Sequence, residues 1–385
     1  MIFSANCKAA SRKACSRQVS HSTPKGHNAA DGRFATGPKG DYLLPHCRVG
    51  LPGKDQPFPA KPALHCSHRK SLKVSLITMQ YTSLTGIIID CHEVGAGLFD
   101  RMKTIIEKIL AGFQYILPQH PLSRIVYALM RCKTGWLKNL LITTISKLAD
   151  INVNEALSPD KNDYASFNAW FTRALKPGAR SFDQDPLSFL SPCDGRISET
   201  GSLQKNSILQ AKGKDYSLQD LLANDPVCTQ LSDGYFSTIY LSPKDYHRIH
   251  MPIAGRLQRM IHVPGRLFSV APYTVRQVPR LFARNERVIS IFETESGPLV
   301  MVLVGAMLVS STETVWAGEV TPTKNKDVTV REYPDENICL AKGAEMGRFN
   351  MGSTVILLMP SGSVKGLAGL GAGDAVLVGQ KLGIL

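Results

Sequence analysis

The chain has 385 residues, 43% of them hydrophobic, and is therefore long enough to bury at least one sizeable core. Its formal net charge of +14 is uneven, because 13 Lys and Arg residues but only three acidic residues fall within residues 1–78. A basic excess confined to one leader-like segment does not indicate a nucleic-acid surface, so we expect no nucleic-acid partner.

Residues 1–100 are predicted to be an extension outside the folded enzyme. The first 78 residues are rich in Ser, Lys, Arg, Pro and Gly and have almost no apolar periodicity, as in disordered or targeting segments. Two origins stay open: an organelle transit sequence, or translated upstream sequence with the true start at Met79 or Met102.

Residues 101–150 are predicted to form amphipathic helices. Apolar residues recur at helical spacing over 105–117 until Pro118, and a second helical pattern covers 122–148. Apolar faces with basic flanks and Trp136 are typical of helices in a membrane interface, although packing against the enzyme core is an equal alternative. Neither segment has the ~18 uninterrupted apolar residues of a spanning helix.

Residues 151–385 are predicted to form a mainly β catalytic domain, which makes the fold class α+β with amphipathic helices at its N-terminal end. From about Phe189 onward, short runs of β-branched and aromatic residues alternate with Gly, Pro, Asp and Asn. The clearest predicted strands are residues 236–241, 288–292, 299–304 and 355–359.

Three short segments contain residues that could carry chemistry. His247 and His250 lie three apart in an apparently extended segment, so they would face opposite sides of a sheet and have separate roles. Asp194 stands in an Asp-Gly pair that is also a common turn. Gly352 and Ser353 precede an apolar run but do not fit the GxSxG pattern of α/β-hydrolases. No further ligands at suitable spacing accompany the histidines, so no metal site is predicted.

Read in order, these segments resemble the bacterial-type, pyruvoyl-dependent phosphatidylserine decarboxylase proenzymes, from about residue 111 to the C-terminus. The family's usual Leu-Gly-Ser-Thr signature is here Met-Gly-Ser-Thr, at residues 351–354. Residues 371–383 resemble the closing turn of barrel-sandwich domains, so the resemblance adds barrel-sandwich-like character to the expected fold. The other matching segments are residues 167–173, 210–213, 281–288, 313–318 and 342–349.

The resemblance assigns roles to five residues. It makes Asp194, His250 and Ser353 a self-processing triad and gives His247 a part in decarboxylation or substrate handling. The chain would cleave itself between Gly352 and Ser353, where a glycine can adopt a strained backbone. The products would be a beta chain of residues 1–352 and an alpha chain of residues 353–385, held together as a heterodimer, with Ser353 converted to a covalent pyruvoyl cofactor.

The implied reaction is the conversion of phosphatidylserine to phosphatidylethanolamine and carbon dioxide through Schiff-base chemistry. The resemblance further implies a peripheral protein on anionic membranes, at the cytoplasmic face of the bacterial cell membrane or alternatively at the mitochondrial inner membrane, and a dimer of heterodimers. Three rivals stay open: the same chemistry on another lipid, a serine hydrolase using the same triad, and an inactive lipid-binding β module.

Overall fold

The computed structural model describes residues 96–211, 213–307, 311–365 and 369–385, so the predicted N-terminal extension lies almost wholly outside the described residues. Three helices come first: α1 Ala96–Ile116, α2 Gln119–Met130 and α3 Gly135–Leu148. The single helix predicted over 122–148 is wrong, because the chain leaves the helical conformation at residues 131–134. Thr134 is extended (φ −61°, ψ 114°) and precedes Gly135, the first residue of α3. Thr and Gly are poor helix formers and favour such a break.

The first two helices attach to the domain through polar side chains. The buried Gln114 donates to the Thr274 hydroxyl at 3.2 Å and accepts from the Ser269 amide at 2.8 Å. Gln119, also buried, accepts from the Leu267 amide at 2.8 Å. Amide side chains therefore satisfy backbone donors at this contact. Ala111 of α1 is buried there as well, whereas Ile105, Ile109 and Phe113 are exposed.

The remaining described residues form an α+β domain dominated by antiparallel strands, as the sequence predicts. The short helices are α4 Phe167–Phe171, α5 Leu218–Leu221, α6 Pro272–Gln277 and α7 Leu281–Arg284. The strands are β1 Ser188–Leu190, β2 Gly195–Ser202, β3 Ser207–Ala211, β4 Lys214–Ser217, β5 Tyr235–Tyr240, β6 Arg248–His250, β7 Gly255–Val263, β8 Arg287–Thr294, β9 Gly297–Val304, β10 Thr312–Thr314, β11 Gly318–Glu319, β12 Thr329–Glu332, β13 Cys339–Leu340, β14 Glu345–Phe349, β15 Thr354–Met359, β16 Ala375–Val376 and β17 Lys381–Ile384.

The largest sheet has nine strands in the order β12-β7-β8-β9-β15-β5-β2-β16, with β13 also paired to β7. A four-stranded sheet has the order β11-β10-β14-β6. Two further sheets have two strands each, β1-β17 and β3-β4. Within the described residues no sheet closes into a barrel, so the barrel-sandwich-like part of the predicted fold is not reproduced as a closed structure.

Strand β15 shows why the central strands were visible in the sequence. All six of its residues are buried. Val355 and Leu357 join one apolar core, whereas Ile356 and Leu358 join another on the opposite face. A strand covered on both faces appears in the sequence as a continuous run of apolar residues. The four strands predicted at 236–241, 288–292, 299–304 and 355–359 are confirmed as β5, β8, β9 and β15.

The crossover between β14 and β15 brings the two larger sheets together. β14 pairs with β6 in the four-stranded sheet, and β15 pairs with β5 and β9 in the nine-stranded sheet. Gly352 and Ser353 lie in the short connection between them.

Among the described residues, none of the helices combines the length and the hydropathy that crossing a bilayer requires.

Candidate active site

Ser353 lies at the start of β15 and is completely buried. Its carbonyl accepts from the Leu241 amide at 2.8 Å, which fixes the backbone against the end of β5. Its hydroxyl Oγ has no hydrogen-bond partner among the described residues. The hydroxyl of the next residue, Thr354, is likewise buried without a partner, so no described residue competes for the Ser353 Oγ, but the missing partner alone does not single it out.

Gly352 makes space for this arrangement. Its φ is not in the left-handed region, so the strained backbone expected from the sequence is not what the structure shows. A Cβ at this position would lie 3.1 Å from the Leu241 carbonyl oxygen and 3.6 Å from Cε1 of His247. The Leu241 distance is tight and the His247 distance is an ordinary contact, so glycine here relieves crowding against the end of β5 and does not supply an unusual φ.

His247, just before β6, is the predicted site residue that lies against the Gly352–Ser353 connection. It is fully buried and its ring stacks on Phe171, with centroids 4.1 Å apart. Its backbone carbonyl accepts from the Phe349 amide at 3.0 Å, and neither ring nitrogen has a well-formed hydrogen bond among the described residues. Burial, aided by the positive charge of Arg173, lowers the pKa of His247 to about 3, so the ring is neutral at physiological pH.

His250, at the end of β6, faces different surroundings, as the three-residue spacing predicts. Its Nδ1 lies 2.8 Å from the Gly343 carbonyl oxygen and its Nε2 lies 3.2 Å from the Tyr246 hydroxyl. A carbonyl can only accept, so Nδ1 carries the proton and Nε2 is the basic nitrogen. The pKa of His250 is lowered, because burial and the charge of Arg248 outweigh the Gly343 carbonyl and the charges of Glu345 and Asp194, which favour the protonated ring.

Asp194 is held in place by an arginine. The carboxylate accepts hydrogen bonds from Arg180, from Nε at 3.0 and 3.1 Å and from Nη2 at 2.6 Å. It also accepts one from the Val378 amide at 2.9 Å. Gly195, the next residue, permits close packing of β2 on β5, since a Cβ there would lie 2.5 Å from the Tyr240 carbonyl oxygen. Four hydrogen bonds thus fix the Asp194 carboxylate at the edge of the site.

The structure brings Asp194 and His250 near each other without joining them. The Pro192 carbonyl accepts from the His250 amide at 2.8 Å, so the Asp194 loop borders β6. The hydrogen bonds of the Asp194 carboxylate among the described residues go to Arg180 and Val378, and those of the His250 ring go to Gly343 and Tyr246. A linked Asp-His-Ser triad is therefore not assembled in the uncut chain, and the roles of its members stay predictions.

Comparison with known proteins decides the family. A model described as phosphatidylserine decarboxylase matches residues 167–384, more than half of the chain, and one described as PSD matches residues 109–148. The chain belongs to the phosphatidylserine decarboxylase family. The resemblance recognised from the sequence motifs is confirmed.

Several bacterial proteins named phosphatidylserine decarboxylase proenzyme are similar to this decarboxylase over most of their length. The protein from Pseudomonas putida is 52% identical over 272 residues, which is 70% of this chain and 95% of the relative. That from Alkalilimnicola ehrlichii is 52% identical over 260 residues (67% and 90%), and that from Methylococcus capsulatus is 47% identical over 277 residues (72% and 96%). As a member of this family, the chain is an enzyme that decarboxylates phosphatidylserine and is made as a proenzyme.

Sequence reasoning missed three residues of this decarboxylase site. Arg180 binds Asp194, Tyr246 contacts the basic nitrogen of His250, and Arg173 is buried beside His247. Arg173 falls inside the family-like segment 167–173, and Tyr246 adjoins His247, so position could have drawn attention to both. Nothing in the sequence pairs Arg180 with Asp194.

We expect Arg180→Met to destabilise the decarboxylase. Asp194 is only 4% exposed and Arg180 12% exposed, so the substitution leaves a buried carboxylate without its cation. Removing one partner of such a pair costs about 3–5 kcal/mol. Urea denaturation in an uncut Ser353→Ala background measures this loss. The matched control Arg256→Met, whose partner Glu293 is 62% exposed, should change the free energy of unfolding by less than about 1 kcal/mol.

Proposed function

We propose that this decarboxylase cleaves itself between Gly352 and Ser353 and uses a pyruvoyl group made from Ser353 to convert phosphatidylserine to phosphatidylethanolamine. The observation that carries the proposal is the buried Ser353 hydroxyl, unpartnered among the described residues and placed on the connection between two sheets. The Met-Gly-Ser-Thr segment at 351–354 and the family membership support it.

The proposed cleavage uses the chain's own groups. His250 takes the Ser353 proton at Nε2, and Ser353 Oγ attacks the Gly352 carbonyl carbon, so that the peptide bond is exchanged for an ester. Elimination then breaks the Cβ–O bond of residue 353 and releases Gly352 as a carboxylate. The dehydroalanine left at position 353 takes up water and loses ammonia to become the pyruvoyl group.

The basicity of the two histidines supports giving this proton to His250. An imidazole that accepts a proton becomes a cation. At His250 the charges of Glu345 and Asp194 stabilise a cation and partly offset the opposing charge of Arg248. The positive charge of Arg173 opposes a cation at His247. Tyr246 must exchange its hydrogen bond on Nε2 for the Ser353 hydroxyl, and it is the neighbour best placed to relay a proton. Asp194 acts at a distance, through its charge.

The two chains formed by cleavage should stay together as a heterodimer. β15 starts at Thr354 and pairs with β5 over six residue pairs and with β9 over five. All six β15 side chains are buried, so the hydrogen bonds and apolar contacts that hold the strand do not depend on the cut peptide. Dimers of such heterodimers are part of the proposal by family resemblance.

The surroundings fit a pyruvoyl group, because Ser353 is fully buried and the neutral His247 ring lies 3.6 Å from where a Cβ on the preceding Gly352 would be. The ketone of that group would supply an electrophile for the substrate amine and an electron sink for the pair of electrons released with carbon dioxide. His247, neutral and within the apolar surroundings of Phe171, is positioned to hold or deliver the proton that replaces the carboxylate.

An intact-mass spectrum of the purified protein tests this function. It should show a fragment of residues 353–385, lighter than a serine-started peptide by one ammonia, together with chain 1–352 or its processed form. Incubation with phosphatidylserine vesicles should then give phosphatidylethanolamine. An intact chain that turns over esters instead would favour the serine-hydrolase alternative, for which the structure offers no linked triad among its described residues.

We further propose that the helices α1 to α3 bind the face of an anionic membrane, at the cytoplasmic side of a bacterial cell membrane. Each helix packs one side on the domain, through Ala111, Met130 and Ile142, and leaves a second set of large apolar side chains exposed. Apolar side chains that face outward are suited to the headgroup boundary, where the diacyl substrate resides. Those more than half exposed include Ile105, Ile109, Phe113, Ile116, Ile125, Trp136, Leu140 and Leu148.

We expect Ile109→Asp and Phe113→Asp, together, to weaken binding to phosphatidylglycerol vesicles by at least about tenfold. Each side chain is more than half exposed, so the fold loses little, whereas burying one such group in lipid contributes about 1.5–3 kcal/mol. Vesicle flotation gives the measurement and self-cleavage reports folding. Leu209→Asp, at an exposed position on β3, is the control. Unchanged flotation of the double variant would rule out this face.

A further inference from the structure

Arg173 is a buried cation without a carboxylate partner among the described residues. It is 4% exposed, its Nε has no hydrogen-bond partner there, and its Nη1 reaches the Phe171 carbonyl only at 3.5 Å. The guanidinium carbon lies 5.2 Å from the Trp170 ring centroid, which compensates the lost hydration in part. A buried charge left in this state is costly and is seldom kept for stability alone.

The carboxylates near Arg173 are already engaged. Glu155 and Asp194 are close enough for their charges to favour the guanidinium, but both bond to Arg180, at 2.8 and 2.6 Å. Burial lowers the pKa of Arg173, yet an arginine remains charged at physiological pH. The unused donors of Arg173 are therefore available for an anion from outside the fold.

The position of Arg173 places it beside the cleavage point. It follows α4, whose Phe171 stacks on His247 and whose Asn168 donates to Asn350 at 3.0 Å. Met351 packs against the aromatic cluster formed by α4. The segment that covers this part of the site thus ends at Gly352, and cleavage after Gly352 gives it a free end that can withdraw.

We propose that Arg173 binds the phosphodiester of the phospholipid headgroup once cleavage has freed residues 350–352. This inference rests on the proposed function. The planar guanidinium matches two phosphate oxygens. The headgroup also carries a carboxylate, but that group loses its charge during the reaction, so a strong ion pair with it would favour the ground state over the transition state. The phosphodiester keeps its charge from substrate to product.

Anion binding at Arg173 would also change His247. The Arg173 charge opposes protonation of the His247 ring, and a bound phosphodiester offsets that charge. His247 would then become able to carry a proton when the headgroup is in place. The subsite therefore links recognition of the lipid to the proton transfer that completes the reaction.

The kinetic test compares cleaved wild-type protein with Arg173→Met and Arg173→Lys. Met keeps the length of the side chain and removes the charge, so self-cleavage should proceed while KM for phosphatidylserine in vesicles rises by about tenfold or more and kcat changes less. Lys should restore part of the loss. The control Arg280→Met removes a 58% exposed arginine paired with Asp220 and should leave KM unchanged.

Two further readouts do not require turnover. Glycerophosphoglycerol, a soluble phosphodiester without amine or carboxylate, should bind the cleaved wild type in a calorimetric titration and fail to bind Arg173→Met. In an uncut Ser353→Ala background, Arg173→Met should have an equal or higher Tm, because no partner is left unpaired. A lower Tm with unchanged KM and diester binding would show a structural role and overturn the proposal. Diester binding without decarboxylation would refute the proposed function alone.

Discussion

Ser353→Ala is expected to leave a single uncut chain of 385 residues with no decarboxylase activity. The alanine has no hydroxyl to attack the Gly352 carbonyl, so neither the ester nor the pyruvoyl group can form. The fold should survive, because Ser353 Oγ makes no hydrogen bond with any described residue and its removal leaves no partner unsatisfied. Denaturing electrophoresis and intact mass measure cleavage, and a urea titration measures stability.

A matched control is available in the same C-terminal segment. Ser363 is half-buried and its hydroxyl donates to the Ser296 carbonyl at 2.7 Å, well away from the cleavage connection. Ser363→Ala should cleave at the wild-type rate. Normal processing of Ser353→Ala would refute both the cleavage point and the origin of the pyruvoyl group, whereas an unfolded Ser353→Ala protein would show that the hydroxyl has a structural role.

The sequence predicted the central strands because of where they lie. β5, β8, β9 and β15 are interior strands of the nine-stranded sheet, and an apolar core covers each face. Continuous runs of Val, Ile, Leu and Phe are the local consequence of that burial. The break at 131–134 was missed because its neighbours continue a helical spacing of apolar residues on both sides, and spacing alone cannot locate a turn.

The site was predictable only in part, because its contacts join distant segments. Asp194, His247, His250, Gly352 and Ser353 were predicted from motifs, and their roles stay predictions. Their partners were not predicted, since the pairing of Arg180 with Asp194 depends on how loops meet in three dimensions and leaves no local pattern. The same limit applies to the helices, where periodicity gave an apolar face but not which way it points. The direction follows from Gln114 and Gln119, which are buried against the domain and therefore mark the side of the helices that faces it.

His250→Ala and His247→Ala are expected to fail at different stages. Without His250, the imidazole that has carboxylates nearby to offset a positive charge is lost as the base for the Ser353 hydroxyl, so cleavage should slow by about 10²–10⁴-fold. Without His247, cleavage should proceed, while decarboxylation falls by a similar factor because the proton for the product has lost its carrier. His247→Gln keeps much of the ring volume against Phe171 and separates loss of the proton carrier from a packing defect.

These histidine variants test whether closeness to the cleavage point or the ability to accept a proton decides which histidine acts in cleavage. The His247 ring lies near Gly352, with Cε1 3.6 Å from where a Cβ of residue 352 would be. If closeness decided the reaction, His247→Ala would remain uncut and His250→Ala would cleave normally. We expect the opposite, since a base must accommodate a positive charge and the Arg173 guanidinium works against one at His247. The control His120→Ala, at an exposed ring bound to the Gly265 carbonyl, should affect neither step. Time courses of cleavage and of phosphatidylethanolamine formation by the same preparations then show which property assigns the two roles.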